Sequence, residues 1–426
     1  MIISPVKKIE GFIKVPGDKS ISHRAVILGS VAKGLTEIHN LSPCEDCIRT
    51  VTAFKNMGIE FSFTKESVIV KGKGLRDLSE PQDVLDLGNS GTSIRLLTGV
   101  LSAQSFFSVL TGDQYLLKRP MDRVIIPLTR MGAKISGRAN NRFAPLAIKG
   151  EKLKSISYTM PVPSAQVKSS IILAGIFAEG TTRITETALT RDHTEIMLSS
   201  FGGKISKSKE IIAVDGGQNL EGTKIFVPSD ISSAAFLLVA ASLLKDSSVT
   251  IKDVGINPTR TGILDILKEM GTRIEISNMS LKNGELVADI SASTSELHGI
   301  SIDEEIAPRA IDEFPIIFIA AALAKGKTHI TGIKELRIKE SDRIATMVKG
   351  LKNMGINAVE GEGEVTIEGA EKFRGTKINS FGDHRVAMAF SIAALLADSE
   401  THIDDVKCID TSFPGFFNIL ESVVKS

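Results

Sequence analysis

Apolar positions along the chain fall into repeating segments of two kinds. Small-residue stretches almost free of charge recur six times: AVILGSVAKG (25–34), SIRLLTGVLSA (93–103), SSIILAGIFAEG (169–180), SAAFLLVAASLLKD (233–246), FPIIFIAAALAKG (314–326) and HRVAMAFSIAALLAD (384–398). With no polar stripe left to face water, each predicts a helix buried on all sides. Each is followed by a segment rich in β-branched residues, such as TRITET, SVTIKDV or THITGI, that predicts a strand. A second helix then runs to Met57-Gly58, Met131-Gly132, Phe201-Gly202, Met270-Gly271 and Met354-Gly355, where glycine can end a helix in the left-handed conformation at little cost.

The chain is therefore an internal repeat of roughly 70 residues with the order βαβαββ. The fold class is α/β (α+β): two lobes, each a prism-like, inside-out barrel of three repeats with buried helices and sheets outside. Residues 18–229 form one lobe. Residues 1–17 and 230–426 form the other, because the first strand, IEGFIKVPG, precedes the first helix and is expected to close onto the last repeat. Crossover hinges fall near 16–19 and 227–231.

Composition narrows the function. With 51 basic and 50 acidic residues and a net charge of +1, nothing steers the chain to nucleic acid or anionic lipid. Aromatic content of 5%, without Trp, leaves little for stacking on single-stranded bases. No apolar run is long enough to span a bilayer and MIISPVKKIEG lacks a signal-peptide core, so a cytoplasmic protein is expected. Cys44, Cys47 and Cys408 are too few for a disulfide framework. Cys44 and Cys47 have the spacing of a redox pair or half a zinc site, but no second such pair follows, and they read as loop thiols.

Candidate chemistry lies just before the six apolar helices, in PGDKSISHR, LGNSGTSIR, MPVPSAQVK, VPSDISSAA, PRAIDEFP and SFGDHRVA. Each has a capping residue. Most also carry Lys, Arg, Gln, His or an extra carboxylate that capping does not require. Any one of them alone reads better as a capped helix with solvated cations; together they point to anion sites at helix starts, where unpaired N–H groups favour negative charge. Ser20 and Arg24, four apart on one helical face beside Lys19, suit a phosphate or carboxylate. Arg119 before Pro120 is held extended. Glu340 and Arg343 are expected on one helical face of LRIKESDR, a stretch that alone reads as a solvated ion-pair face. Asp383, His384 and Arg385 alone read as an N-cap with a surface arginine.

The motifs GDKSISHRA, LGNSGTSIRLL, GDQYLLKRPM, PSAQVKSSIILAG, TRDHTEIM, IDEFPIIFIAAALAKG, LRIKESDRI, GDHRVAM and TSFPGFF resemble the 5-enolpyruvylshikimate-3-phosphate synthase family over nearly the whole chain. The resemblance implies transfer of the enolpyruvyl group of phosphoenolpyruvate to the 5-hydroxyl of shikimate 3-phosphate, in the shikimate pathway, by a protein that is the glyphosate target. It implies that Lys19, Ser20, Arg24, Ser164, Ala165, Gln166, Arg191, Asp312 and Lys339 hold shikimate 3-phosphate. Lys19, Asn89, Gly91, Arg119, Gln166, Arg343, His384 and Arg385 would hold phosphoenolpyruvate. Asp312 would take the hydroxyl proton, and Glu340 with Lys19 would protonate the methylene carbon. No cofactor or metal is expected; the partners are the two small molecules, with no nucleic acid or membrane, and the chain is expected to be a monomer whose lobes close on substrate.

One departure is Thr411, where many family members have lysine. Two rival readings are the UDP-N-acetylglucosamine enolpyruvyl transferase, disfavoured because residues 110–123 contain no cysteine, and a non-catalytic phosphate- or RNA-end-binding repeat protein of the same fold.

Overall fold

A computed structural model describes residues 1–425. The chain forms two compact units: Met1–Pro16, Pro228–Leu281 and Leu286–Ser426 make the first, and Gly17–Val227 with Lys282–Glu285 the second. It crosses between them after Pro16 and Val227, and returns to the second unit for one hairpin turn.

In the second unit the apolar helices are Lys19–Val31, Gly91–Leu101 and Ala165–Gly175, and in the first they are Ile231–Leu243, Phe314–Ala322 and His384–Leu395. Composition explains their position. Ile231–Leu243 is buried at every residue but the last, and Phe314–Ala322 at every residue. Small residues let these helices come close. A Cβ added to Gly99 would lie 2.3 Å from the Ser170 carbonyl oxygen of the neighbouring helix. Backbone cannot yield as a flexible side chain can, so Gly99→Ala should cost about 1–3 kcal/mol by overpacking, measurable as a lower denaturant midpoint.

Each helix lies against its own sheet. In the second unit the sheets have one plan: the strand before the buried helix pairs parallel with the strand after it, and an antiparallel pair completes the set. Ser157–Thr159, Thr181–Thr185, Ile211–Asp215 and Ile205–Ser208 show it in spatial order. Leu85–Asp86, Phe107–Thr111, Phe143–Lys149 and Lys134–Gly137 repeat it. In the third sheet the opening strand is Lys224–Phe226, which pairs parallel with Lys33–His39 although it comes last in the sequence.

The reciprocal arrangement holds in the first unit. Lys8–Ile13 pairs parallel with Ser248–Gly255, so the chain's early strand opens the fourth repeat, not the last. The last repeat reaches it through Val424–Lys425, and Ile2–Ile3 pairs with Thr401–Asp404. The second helices end where expected, with Gly58, Gly132, Gly202, Gly271 and Gly355 all at positive φ.

Candidate active site

In the second unit, the starts of three buried helices are linked by side chains. Asp18 caps the first helix by accepting from the Ile21 amide at 2.8 Å; Ser90 and Ser164 cap the other two, accepting from Ser93 and Val167. His23 Nδ1 meets Thr50 Oγ1 at 2.8 Å, Thr50 meets Ser93 at 2.6 Å, and Ser93 donates to Ser90 at 2.6 Å, a buried chain joining the first two starts. Burial, with Lys19 and Arg24 nearby, holds the His23 pKa well below its ordinary value, so this imidazole is neutral at pH 7.

The cations are held in turn. Lys19 Nζ lies 2.5 Å from Asp46 Oδ2. Arg24 donates through Nε to Thr194 Oγ1 at 2.6 Å, and through its terminal nitrogens to Ser169 Oγ at 2.7 Å and the Ser20 carbonyl at 2.8 Å. Burial lowers the Arg24 pKa to about 10, which leaves it charged at neutral pH, and Arg191 is close enough to repel it. Arg95 donates to Gln166 Oε1 at 2.5 Å while Gln166 donates to Thr92 at 3.0 Å, fixing both ends of that amide.

Arg119 is extended, at φ −84° and ψ 136°, as its place before Pro120 requires. Its guanidinium lies over Gly91 and donates to the Asn89 carbonyl at 3.5 Å. Thus Lys19, Ser20, Arg24, Asn89, Gly91, Arg119, Ser164, Ala165 and Gln166 belong to one unit and sit at or beside its three helix starts, and Arg191, in the same unit, precedes the His193–Ser200 helix.

The first unit holds a second cluster. Arg343 is buried, with Nε 2.8 Å from Asp383 Oδ2, NH2 2.6 Å from Glu340 Oε2 and NH1 3.5 Å from Asp312 Oδ1. Burial opposes its charge, but Asp383, Glu340 and Asp312 outweigh burial and hold its pKa above the ordinary value. Lys339 Nζ is 3.4 Å from Asp312 Oδ1, and Arg385 donates to the Asp312 carbonyl at 2.9 Å. His384 opens its helix and is buried.

Several sequence expectations are corrected. Glu340 and Arg343 do not share a helical face: Lys334–Ile338 is a 3-10 turn, Asp342 caps Arg343–Asn353, and Glu340 lies in the non-helical link. Neither Arg343 nor Arg385 is a solvated surface arginine. Cys44 and Cys47 are not loop thiols, since Cys44 is the N-cap of Glu45–Asn56 and Cys47 lies in that helix, both buried. Nor are all six helix starts free anion sites. Asp18, Asp230 and Asp383 cap three of them with the protein's own carboxylates, and Glu313, before the fifth, makes no side-chain cap bond. Anion binding must rest on the arginine and lysine side chains more than on helix dipoles.

Sequence reading missed Asp46, Arg95, Ser169 and Thr194, which hold the singled-out residues, and Arg260, which donates to Ser232 Oγ at 2.7 Å and faces Asp230 and Glu313. Arg95 is the surplus cation of LGNSGTSIR, left without a role there; the other positions carried no signal beyond ordinary polar residues. At Thr411 the hydroxyl turns onto the Cys408 carbonyl at 2.7 Å. Among the described residues no helix is long and apolar enough to cross a membrane.

Repeated βαβαββ elements around buried helices, with arginines at the helix starts, define the enolpyruvyl transferase fold. The enolpyruvyl transferase NikO from Streptomyces tendae shares it at a TM-score of 0.79 and 16% identity, over 99% of this chain and 96% of that one. Residues 3–420 match the family EPSP synthase (3-phosphoshikimate 1-carboxyvinyltransferase), and the chain belongs to that family. The 3-phosphoshikimate 1-carboxyvinyltransferase of Geobacter metallireducens is 53% identical, over 99% of this chain and 98% of its own. That of Brevibacillus brevis is 48% identical, over 99% of both. EPSP synthase from Acinetobacter baumannii superposes with a TM-score of 0.88 at 45% identity, covering 99% of this chain and 97% of its own.

Proposed function

We propose that this chain transfers the 1-carboxyvinyl group of phosphoenolpyruvate to the 5-hydroxyl of shikimate 3-phosphate, releasing phosphate. The full-length family match carries this reading. The residue roles follow the motifs: Lys19, Ser20, Arg24, Ser164, Ala165, Gln166, Arg191, Asp312 and Lys339 bind the acceptor, and Lys19, Asn89, Gly91, Arg119, Gln166, Arg343, His384 and Arg385 the donor.

Two substrates that carry carboxylates and phosphates need several cations, and guanidinium forks fit both groups. In the addition step Asp312 removes the hydroxyl proton, the oxygen bonds to the enol carbon, and Glu340 with Lys19 delivers a proton to the methylene carbon. In the elimination step the proton roles reverse: the methyl group returns a proton to Glu340 with Lys19, the carbon–carbon double bond re-forms, and phosphate leaves with the electron pair of its carbon–oxygen bond. General acid–base help contributes about 10²–10⁴-fold. Holding two reactants in line contributes on the order of 7–11 kcal/mol. Positioning therefore outweighs proton transfer, which accords with how many hydrogen bonds here hold cations in place.

The decisive assay mixes protein, phosphoenolpyruvate and shikimate 3-phosphate and follows phosphate release without added metal. UDP-N-acetylglucosamine in place of the acceptor should release none; release with it alone would sink this reading in favour of the related transferase. We also expect a cytoplasmic monomer that needs neither nucleic acid nor membrane, a reading supported by the balanced charge and tested by light scattering.

A Cβ on Gly91 would lie 2.7 Å from Arg119 Cζ, so Gly91→Ala must push that guanidinium aside. The KM for phosphoenolpyruvate should rise about 10-fold, equivalent to about 1.4 kcal/mol, while that for shikimate 3-phosphate stays within about 2-fold. Steady-state kinetics with each substrate varied in turn checks it.

A further inference from the structure

We infer that Lys168 is a positioning residue for acceptor binding, acting through the loop that carries Arg191. This rests on the reading of Arg191 as an acceptor ligand. Comparing the repeats singles Lys168 out. It is the fourth residue of its buried helix, and the fourth residues of the other five are Ser22, Ile94, Ala234, Ile317 and Ala387, all small or apolar. Burying a lysine with no exposed surface in that place incurs the desolvation cost of its charge, so the fold alone gives no reason for it.

Its partners supply one. Lys168 Nζ lies 3.0 Å from Glu186 Oε1, 2.7 Å from Glu195 Oε1, and donates to the Thr190 carbonyl at 3.4 Å. Glu186 Oε1 also accepts from the Thr190 amide at 3.2 Å and its hydroxyl at 2.5 Å. The loop from Glu186 to Thr190 is thereby folded around one ammonium group, and the next residue is Arg191. Beyond it, Glu195 ties Lys168 to the His193–Ser200 helix, while the adjacent pair Ser169 and Thr194, 2.7 Å apart, meets Arg24. One turn of the Ala165–Gly175 helix thus fixes the segments bearing two acceptor cations. Lys207 Nζ, 3.5 Å from Glu186 Oε2, adds a second cation to that carboxylate from an exposed position.

The test compares Lys168→Met, Glu186→Gln, Arg191→Ala and the double variant Lys168→Met with Arg191→Ala. KM for each substrate and kcat are measured separately. Lys168→Met should raise the KM for shikimate 3-phosphate about 10-fold or more, as a displaced binding group does, with the KM for phosphoenolpyruvate within about 2-fold. Glu186→Gln, which keeps side-chain size, should act in the same direction if Lys168→Met fails to fold. In the Arg191→Ala background Lys168→Met should add less than about 2-fold. If Arg191→Ala leaves the acceptor KM unchanged, its role as a ligand is wrong and this inference falls with it. If Arg191→Ala raises that KM but Lys168→Met and Glu186→Gln do not, or the two effects are fully independent, or both substrates suffer alike, Lys168 serves stability alone.

Discussion

Glu340→Gln is expected to lower kcat by about 10²–10⁴-fold while leaving both KM values within about 3-fold. Glutamine keeps the size of the side chain and an oxygen that can accept from Arg343 NH2, now 2.6 Å from the carboxylate. Only the transferable proton is lost. Arg343 is itself fixed by Asp383 on its other edge, so the substitution leaves the guanidinium oriented. Single-turnover phosphate release is the appropriate measurement, because it reads the chemical steps without product departure. A variant with near-normal turnover would remove Glu340 from proton transfer and leave it as a clamp on Arg343.

The second large effect is on stability. Arg343→Met removes the counter-charge of Asp383, a residue with no exposed surface, and should destabilise the fold by about 3–5 kcal/mol, the usual cost of breaking a buried pair from one side. The pH dependence gives a sharper signature. Burial pushes the Asp383 pKa up, but Arg343 pulls it down further, so the net value lies below the ordinary 3.8. A depressed carboxylate contributes stability that is present above the unfolded value and is lost as pH falls through the folded one. In Arg343→Met burial and the neighbouring Glu340 charge remain, both of which raise the Asp383 pKa. The variant's deficit should therefore shrink as the solution is made acidic. Melting temperatures of both proteins between about pH 7 and pH 4 would show the two curves converging; parallel curves would mean that Asp383 is not what Arg343 stabilises.

The repeats were legible because the same physical demand is met six times. A helix with no polar face can only be buried, and a glycine at positive φ marks the end of five of the second helices. Arg119 was legible for a local reason, the proline behind it. Helix geometry at Glu340 was not, because Asp342 caps the following helix and a cap cannot be told from a first-turn residue when acidic and basic residues alternate. Nor could spacing reveal that the opening strands of two sheets are exchanged along the sequence, since Lys224–Phe226 and Lys8–Ile13 look like any other short β segment. The hydrogen bonds that hold Arg24 come from Ser169 and Thr194, far from it in the chain, and small hydroxyl residues in buried helices give no warning of such a task.

The exchanged strands bear on how the polypeptide is made. Lys8–Ile13 is made long before its parallel partner Ser248–Gly255, which is translated only after every residue from Gly17 to Val227. The nascent chain must therefore carry an unpaired β segment through most of elongation while its neighbour assembles. Its Lys8, Glu10 and Gly11 suit that wait, since charge and glycine discourage intermolecular pairing of a bare edge.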